Sequence, residues 1–137
     1  MTKSSTHVLP ALLLALALPM AAQAADAGAD GAAAKQVATA VAHAGMAMGA
    51  ADLTTARAHL HHVVNCLVGP AGKGFDAKAE DPCKGMGDGA IADSKGDMAA
   101  VDRLNAALGQ AEHGLKATTL DATHADAKQV METLQAK

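Results

Sequence analysis

Apolar residues recur at three- and four-residue steps in four segments of this chain, the spacing that places them on one face of an α-helix. Each segment follows a polar residue that suits a helix N-cap: Asp30, Asp52, Asp97, and Thr118 or Thr119. The first helix is predicted over about 32–48, and the second ends before Gly69. Thr118 with Asp121 fits a capping box for the fourth helix. The pattern therefore predicts an all-α protein.

The two helix pairs are related by an internal repeat without gaps. A shift of 67 residues places apolar positions of the first pair on those of the second: Val37 on Leu104, Val41 on Leu108, Met48 on Leu115, Leu53 on Leu120, Val63 on Val130 and Leu67 on Leu134. Only a few residues join the helices within each pair, so each pair should form an antiparallel hairpin. A hairpin cannot bury its apolar stripe alone. The duplicated hairpins, about 31–68 and 97–136, are therefore predicted to close into an antiparallel four-helix bundle.

The N-terminal segment 1–24 has the features of an export signal. Lys3 precedes an apolar run over residues 8–21, and Ala22-Gln23-Ala24 provides a small-x-small cleavage site. The apolar run is too short for a membrane anchor. We therefore expect one mature domain over residues 25–137, released as a soluble periplasmic or secreted protein.

A long connection over residues 69–96 joins the two hairpins and is rich in Gly, Pro, Asp and Lys. It contains Cys83, and Cys66 stands near the end of the second helix. Because export implies an oxidising compartment, we expect a Cys66–Cys83 disulfide that pins the loop to that helix. Closing a loop of this length is expected to contribute about 3 kcal/mol of stability.

Composition argues against several classes of function. Acidic residues outnumber basic ones, 14 to 11, which disfavours a nucleic-acid partner. Phe75 is the sole aromatic residue, so stacking platforms are missing. No nucleophile elbow or phosphate-binding glycine loop is recognisable, and no enzymatic activity is predicted. The acidic residues of the loop do not match the spacing of a helix–loop–helix calcium site.

Histidines are the best candidates for chemistry in this chain. His59 and His62 are one helical turn apart on a flank of the second helix, so their imidazoles can share a metal ion. His43 and Met46 occupy the equivalent flank of the first helix, and His61 completes the predicted metal-binding set. Imidazoles suit Cu(II), Ni(II) or Zn(II), and thioethers suit Cu(I). The alternative interpretation, surface histidines without a ligand, stays open.

The export signal, the segment AVAHAGMAMGAADLTTARAHLHH and the duplicated hairpin resemble the small periplasmic histidine-rich metal-binding proteins that fold as four-helix bundles. The resemblance covers roughly residues 43–136 and implies binding of a copper-type transition metal. The metal contacts that it implies are His43, His59, His61, His62 and His113. The chain departs from that family in having fewer histidines and an additional cysteine-containing loop.

Two other functions compete with metal binding. A structural or protein-interaction module acting through the 69–96 loop would need no metal. A haem-binding bundle is the third hypothesis, against which the missing Cys-x-x-Cys-His motif and the scarcity of aromatic residues argue. The sequence identifies no protein partner.

Overall fold

The computed structural model describes the backbone from residue 23 to residue 137 and the side chains from residue 31. Within this range the chain is all-helical, as predicted. Its five helices are α1 (Gln23–Met48), α2 (Leu53–Val68), α3 (Ala90–Asp93), α4 (Met98–Lys116) and α5 (Leu120–Gln135). The predicted export signal lies outside the described residues except for its last two positions. In the described part of the chain, no helix is both long enough and apolar enough to cross a membrane.

Helices α2 and α4 begin at carboxylates that accept hydrogen bonds from otherwise unpaired backbone N–H groups. The Asp52 carboxylate accepts from the N–H of Thr55 at 2.8 Å. The Asp97 carboxylate accepts from the N–H of Ala100 at 3.1 Å. Both N-caps predicted from the sequence are therefore confirmed, because capping depends on residues only three positions apart.

The predicted start of the first helix is wrong, and of the two N-caps predicted for the fourth helix the structure selects Thr119. Helix α1 includes Asp30 and is described from Gln23, because the alanine-rich segment before Asp30 has high helix propensity and continues the helix through that residue. Helix α5 is capped by Thr119, whose hydroxyl accepts from the N–H of Ala122 at 3.2 Å. The capping box predicted at Thr118 therefore does not form.

The 69–96 connection contains the short helix α3, which the sequence pattern did not predict. One oxygen of the Asp93 carboxylate accepts from the Gln36 side chain at 2.8 Å and from the N–H of Asp88 at 3.0 Å. Gln36 lies on α1 and is buried. A long-range hydrogen bond thus holds α3 against α1, which explains why local sequence did not indicate this helix.

The four long helices pack against one another. Helix α1 contacts α2 and α5, helix α4 contacts the same two helices, α2 also contacts α5, and α3 contacts α1, α2 and α4. The enclosed core consists of small and aliphatic side chains, among them Ala40, Ala44, Leu60, Val63, Leu67, Leu104, Ala107, Ala111, Val130 and Leu134. Most apolar positions of the predicted stripe are thus buried. Met48, at the end of α1, is an exception and is 36% exposed.

The predicted disulfide between Cys66 and Cys83 is present, with 5.2 Å between the two Cα atoms. Both cysteines are buried. Further along the loop, the backbone of Asp88 passes so close to Gly69 that a Cβ on Gly69 would lie 2.0 Å from the Asp88 carbonyl oxygen. The connection is therefore folded back onto the C-terminal end of α2.

Candidate metal centre

Three histidines from two neighbouring helices bring their imidazoles together. His43 lies on α1, and His59 and His62 lie one turn apart on α2. The Nδ1 atom of His43 is 3.2 Å from Nδ1 of His59 and 3.2 Å from Nδ1 of His62. All three side chains are partly exposed, so an ion can reach them from solvent. We call these three residues the histidine triad.

The spacing of the triad nitrogens matches that of ligands on one ion. One ring nitrogen from each residue can be chosen so that all three lie within 4.8 Å of one another. A tetrahedral ion with bonds of 2.0–2.1 Å to imidazole nitrogen holds its ligands about 3.3 Å apart. The two contacts at His43 therefore already have the length of a tetrahedron edge.

Hydrogen bonding among the three rings cannot satisfy both contacts at His43. A neutral imidazole has one N–H and one lone-pair nitrogen, so Nδ1 of His43 either donates one hydrogen bond or accepts one. At least one of the two neighbouring Nδ1 atoms is thus left without a partner in the triad. A cation at the centre removes this conflict by accepting all three lone pairs.

Two members of the triad, His43 and His62, have lowered pKa values. Burial is the largest cause of the lowered pKa of His43, followed by the charges of His62 and His59. Burial also lowers the pKa of His62, with a further contribution from His59. The carboxylate of Glu80 opposes both shifts. A lowered pKa favours neutral imidazole, the form that coordinates a metal.

The other two predicted ligands lie elsewhere on the same surface. Nδ1 of His61 is 3.3 Å from a carboxylate oxygen of Asp76, and His61 is not part of the triad. Met46 lies on α1 one turn beyond His43 and is 48% exposed. The structure thus brings together three of the five predicted metal-binding residues.

The remaining histidines of the described chain are engaged at a distance from the triad. Nδ1 of His113, which the family resemblance implies as a contact, lies 2.9 Å from the Asp126 carboxylate. Nε2 of His124 donates to the carbonyl oxygen of Ala50 at 3.0 Å. Each of these rings therefore joins two parts of the fold rather than contributing to the metal-binding group.

Asn65 holds the loop beside the triad, and sequence reasoning missed it. Its buried side-chain amide donates to the carbonyl oxygens of Asp76 and Glu80 at 3.0 and 3.2 Å. Its amide oxygen accepts from the N–H of Asp76 at 2.8 Å. The available signal was a polar residue within the apolar run of α2, next to Cys66. We call this set of three hydrogen bonds the Asn65 clamp.

Comparisons with known proteins found no match: the chain matches no family model, no curated protein and no solved structure.

Proposed function

We propose that this protein binds one divalent transition metal ion through His43, His59 and His62. The observation that carries the proposal is that Nδ1 of His43 lies 3.2 Å from Nδ1 of both His59 and His62, with one ring nitrogen of each residue within 4.8 Å of the other two. The conflict of lone pairs at His43 supports it, because a cation relieves that conflict. His61 and Met46 lie outside the triad and take a secondary role.

Copper is the ion that the donor set favours most strongly among the common divalent metals. Sites of nitrogen donors bind Cu(II) more tightly than Ni(II) or Zn(II), following the Irving–Williams order. The triad consists of imidazoles without a thioether, which favours Cu(II) over Cu(I). We therefore expect Cu(II) to bind most tightly in the test tube, and Zn(II) and Ni(II) to bind the same site more weakly.

The scaffold proposed for this site is an antiparallel four-helix bundle of two duplicated hairpins. The contacts that α1 and α4 each make with both α2 and α5 support it, as does the common spacing of buried apolar positions in the two halves. The proposed location is the periplasm or the extracellular medium, with which the disulfide is compatible. We further propose a role in metal binding rather than in catalysis.

Titration calorimetry with Cu(II), Zn(II) and Ni(II) at neutral pH tests the proposal. We expect one ion per chain, and we expect the double variant His59→Gln, His62→Gln to lose at least about 100-fold in affinity, since it removes two of three ligands. His113→Gln is the matched control, because it removes an imidazole that lies outside the triad. Affinity that changes by less than about threefold in the double variant, or equally in the control, refutes the site and favours an interaction through the 69–96 loop.

A further inference from the structure

We propose that Glu80 supplies the fourth ligand of this metal centre. The inference rests on the proposed function, because it concerns the ion held by the histidine triad. It assigns a role to a residue of the loop, whereas the triad belongs to the helices. Two features of the structure lead to it: the anchoring of the backbone at Glu80 and the free carboxylate of Glu80.

The Asn65 clamp fixes the backbone of Glu80 on the triad side of α2. Asn65 follows His62 by three residues, and residues at this spacing lie on the same side of a helix. The carbonyl oxygen of Glu80 is 3.2 Å from the Asn65 amide nitrogen. The disulfide provides a second anchor, since Cys66 follows Asn65 directly and binds Cys83, three residues beyond Glu80.

Glu80 has the carboxylate that this segment leaves available. The Asp76 carboxylate accepts from the N–H of Lys78 at 2.9 Å and also contacts His61. The Asp81 carboxylate accepts from the N–H of Cys83 at 3.0 Å. Among residues 31–137, no hydrogen bond or ion pair engages the Glu80 carboxylate, and the residue is exposed.

The Glu80 carboxylate lies outside the group of mutually close donors, which contains the three histidines. Glu80 would therefore reach the ion by rotation of its exposed side chain, about a backbone that the Asn65 clamp and the disulfide hold in place.

A carboxylate in the fourth position changes what the site can do. Zinc sites with four protein ligands hold the ion, whereas catalytic zinc sites keep one position open for water. Three nitrogens and one anionic oxygen also favour divalent ions over Cu(I), which prefers sulfur ligands. Closure by Glu80 would thus make the centre a site that holds a divalent ion.

Zinc affinity of the full mature chain, measured by competition with a chelating dye, tests this assignment. We expect Glu80→Gln to weaken Zn(II) binding by at least about tenfold and Glu80→Asp to recover part of the loss. Glu112→Gln removes the same charge from an exposed position on α4 and should change affinity by less than about twofold. The loss in Glu80→Gln should persist at about 0.5 M salt, where screening over about 4 Å removes a merely electrostatic effect. Circular dichroism should show unchanged folding for each variant, because both glutamates are exposed.

The outcomes separate the two proposals. Tight binding that depends on the triad but is unchanged in Glu80→Gln, or a Glu80→Gln effect that disappears in high salt, overturns the ligand role of Glu80 and leaves the proposed function intact. Equal losses of Zn(II) affinity in Glu80→Gln and Glu112→Gln also overturn the ligand role of Glu80 and leave the proposed function intact. If the wild-type chain binds neither Zn(II) nor Cu(II), the proposed function fails, and the role of Glu80 fails with it.

Discussion

Removing the Asn65 clamp should destabilise the protein by about 2 kcal/mol. Asn65→Ala deletes three hydrogen bonds between α2 and the loop, each with a net value of about 1 kcal/mol. Alanine recovers about 0.6 kcal/mol through its higher helix propensity. The remaining difference corresponds to a decrease of about 8 °C in melting temperature for a domain of this size. The disulfide keeps the loop attached, so the loss reflects the clamp rather than detachment of the loop.

Urea denaturation followed by circular dichroism measures this effect, with the disulfide intact. Asn105→Ala is the control, because Asn105 is exposed and its side chain bonds only to the carbonyl oxygen of Val101 in its own helix. We expect the control to remain within about 0.5 kcal/mol of wild type. If Asn65→Ala behaves like the control, the loop is not held by Asn65, and the placement of Glu80 beside the triad loses its main support.

Three further predictions concern stability. Gly114→Ala should destabilise by about 1 kcal/mol or more, because its Cβ would lie 2.7 Å from the buried Leu60 side chain. Gly109→Ala on the same helix meets nothing within 4 Å and should stabilise by roughly 0.8 kcal/mol; equal urea midpoints for the two variants would contradict the packing. Reducing the disulfide should lower the free energy of unfolding by about 3 kcal/mol, measured by urea titration with and without a reductant. The pKa values of His43 and His62 are lowered in the fold, so the metal-free protein should lose stability as the pH falls below about 6.5. The double variant His43→Gln, His62→Gln should lose less stability over the same pH range. A pH profile of stability equal to that of the wild type would refute this explanation.

The helices could be predicted to the extent that their signals are local. Three- and four-residue spacing located the four long helices, and Asp52 and Asp97 marked two starts, because each cap acts within its own first turn. The start of α1 was misplaced because helix propensity upstream of Asp30 outweighs a capping residue. Helix α3 depends on a bond between Gln36 and Asp93, 57 residues apart, which no local pattern reveals.

The candidate metal centre could be predicted in part, because the spacing of histidines along one helix is also a local signal. The pairing of His59 with His62 follows from helix geometry, and the addition of His43 follows from the short connection between α1 and α2. His61 is two positions from His59, and a rotation of about 100° per residue places it on a different side of α2. It contacts Asp76 instead. The path of the loop depends on tertiary hydrogen bonds and could not be derived from spacing.

Alignment of the two halves by the predicted repeat shows that the three triad histidines have no histidine counterparts in the second half. Shifted by 67 residues, the triad positions correspond to Gln110, Asp126 and Gln129. Asp126 is engaged by His113, so the second half uses this position to join α4 to α5. The position of Asn65 corresponds to Glu132, which is exposed on α5 and holds no loop. The candidate site therefore lies in the first half, where α1 and α2 carry histidines at the three aligned positions. In the proposed centre these two helices place the histidines, and the 69–96 connection adds the carboxylate of Glu80.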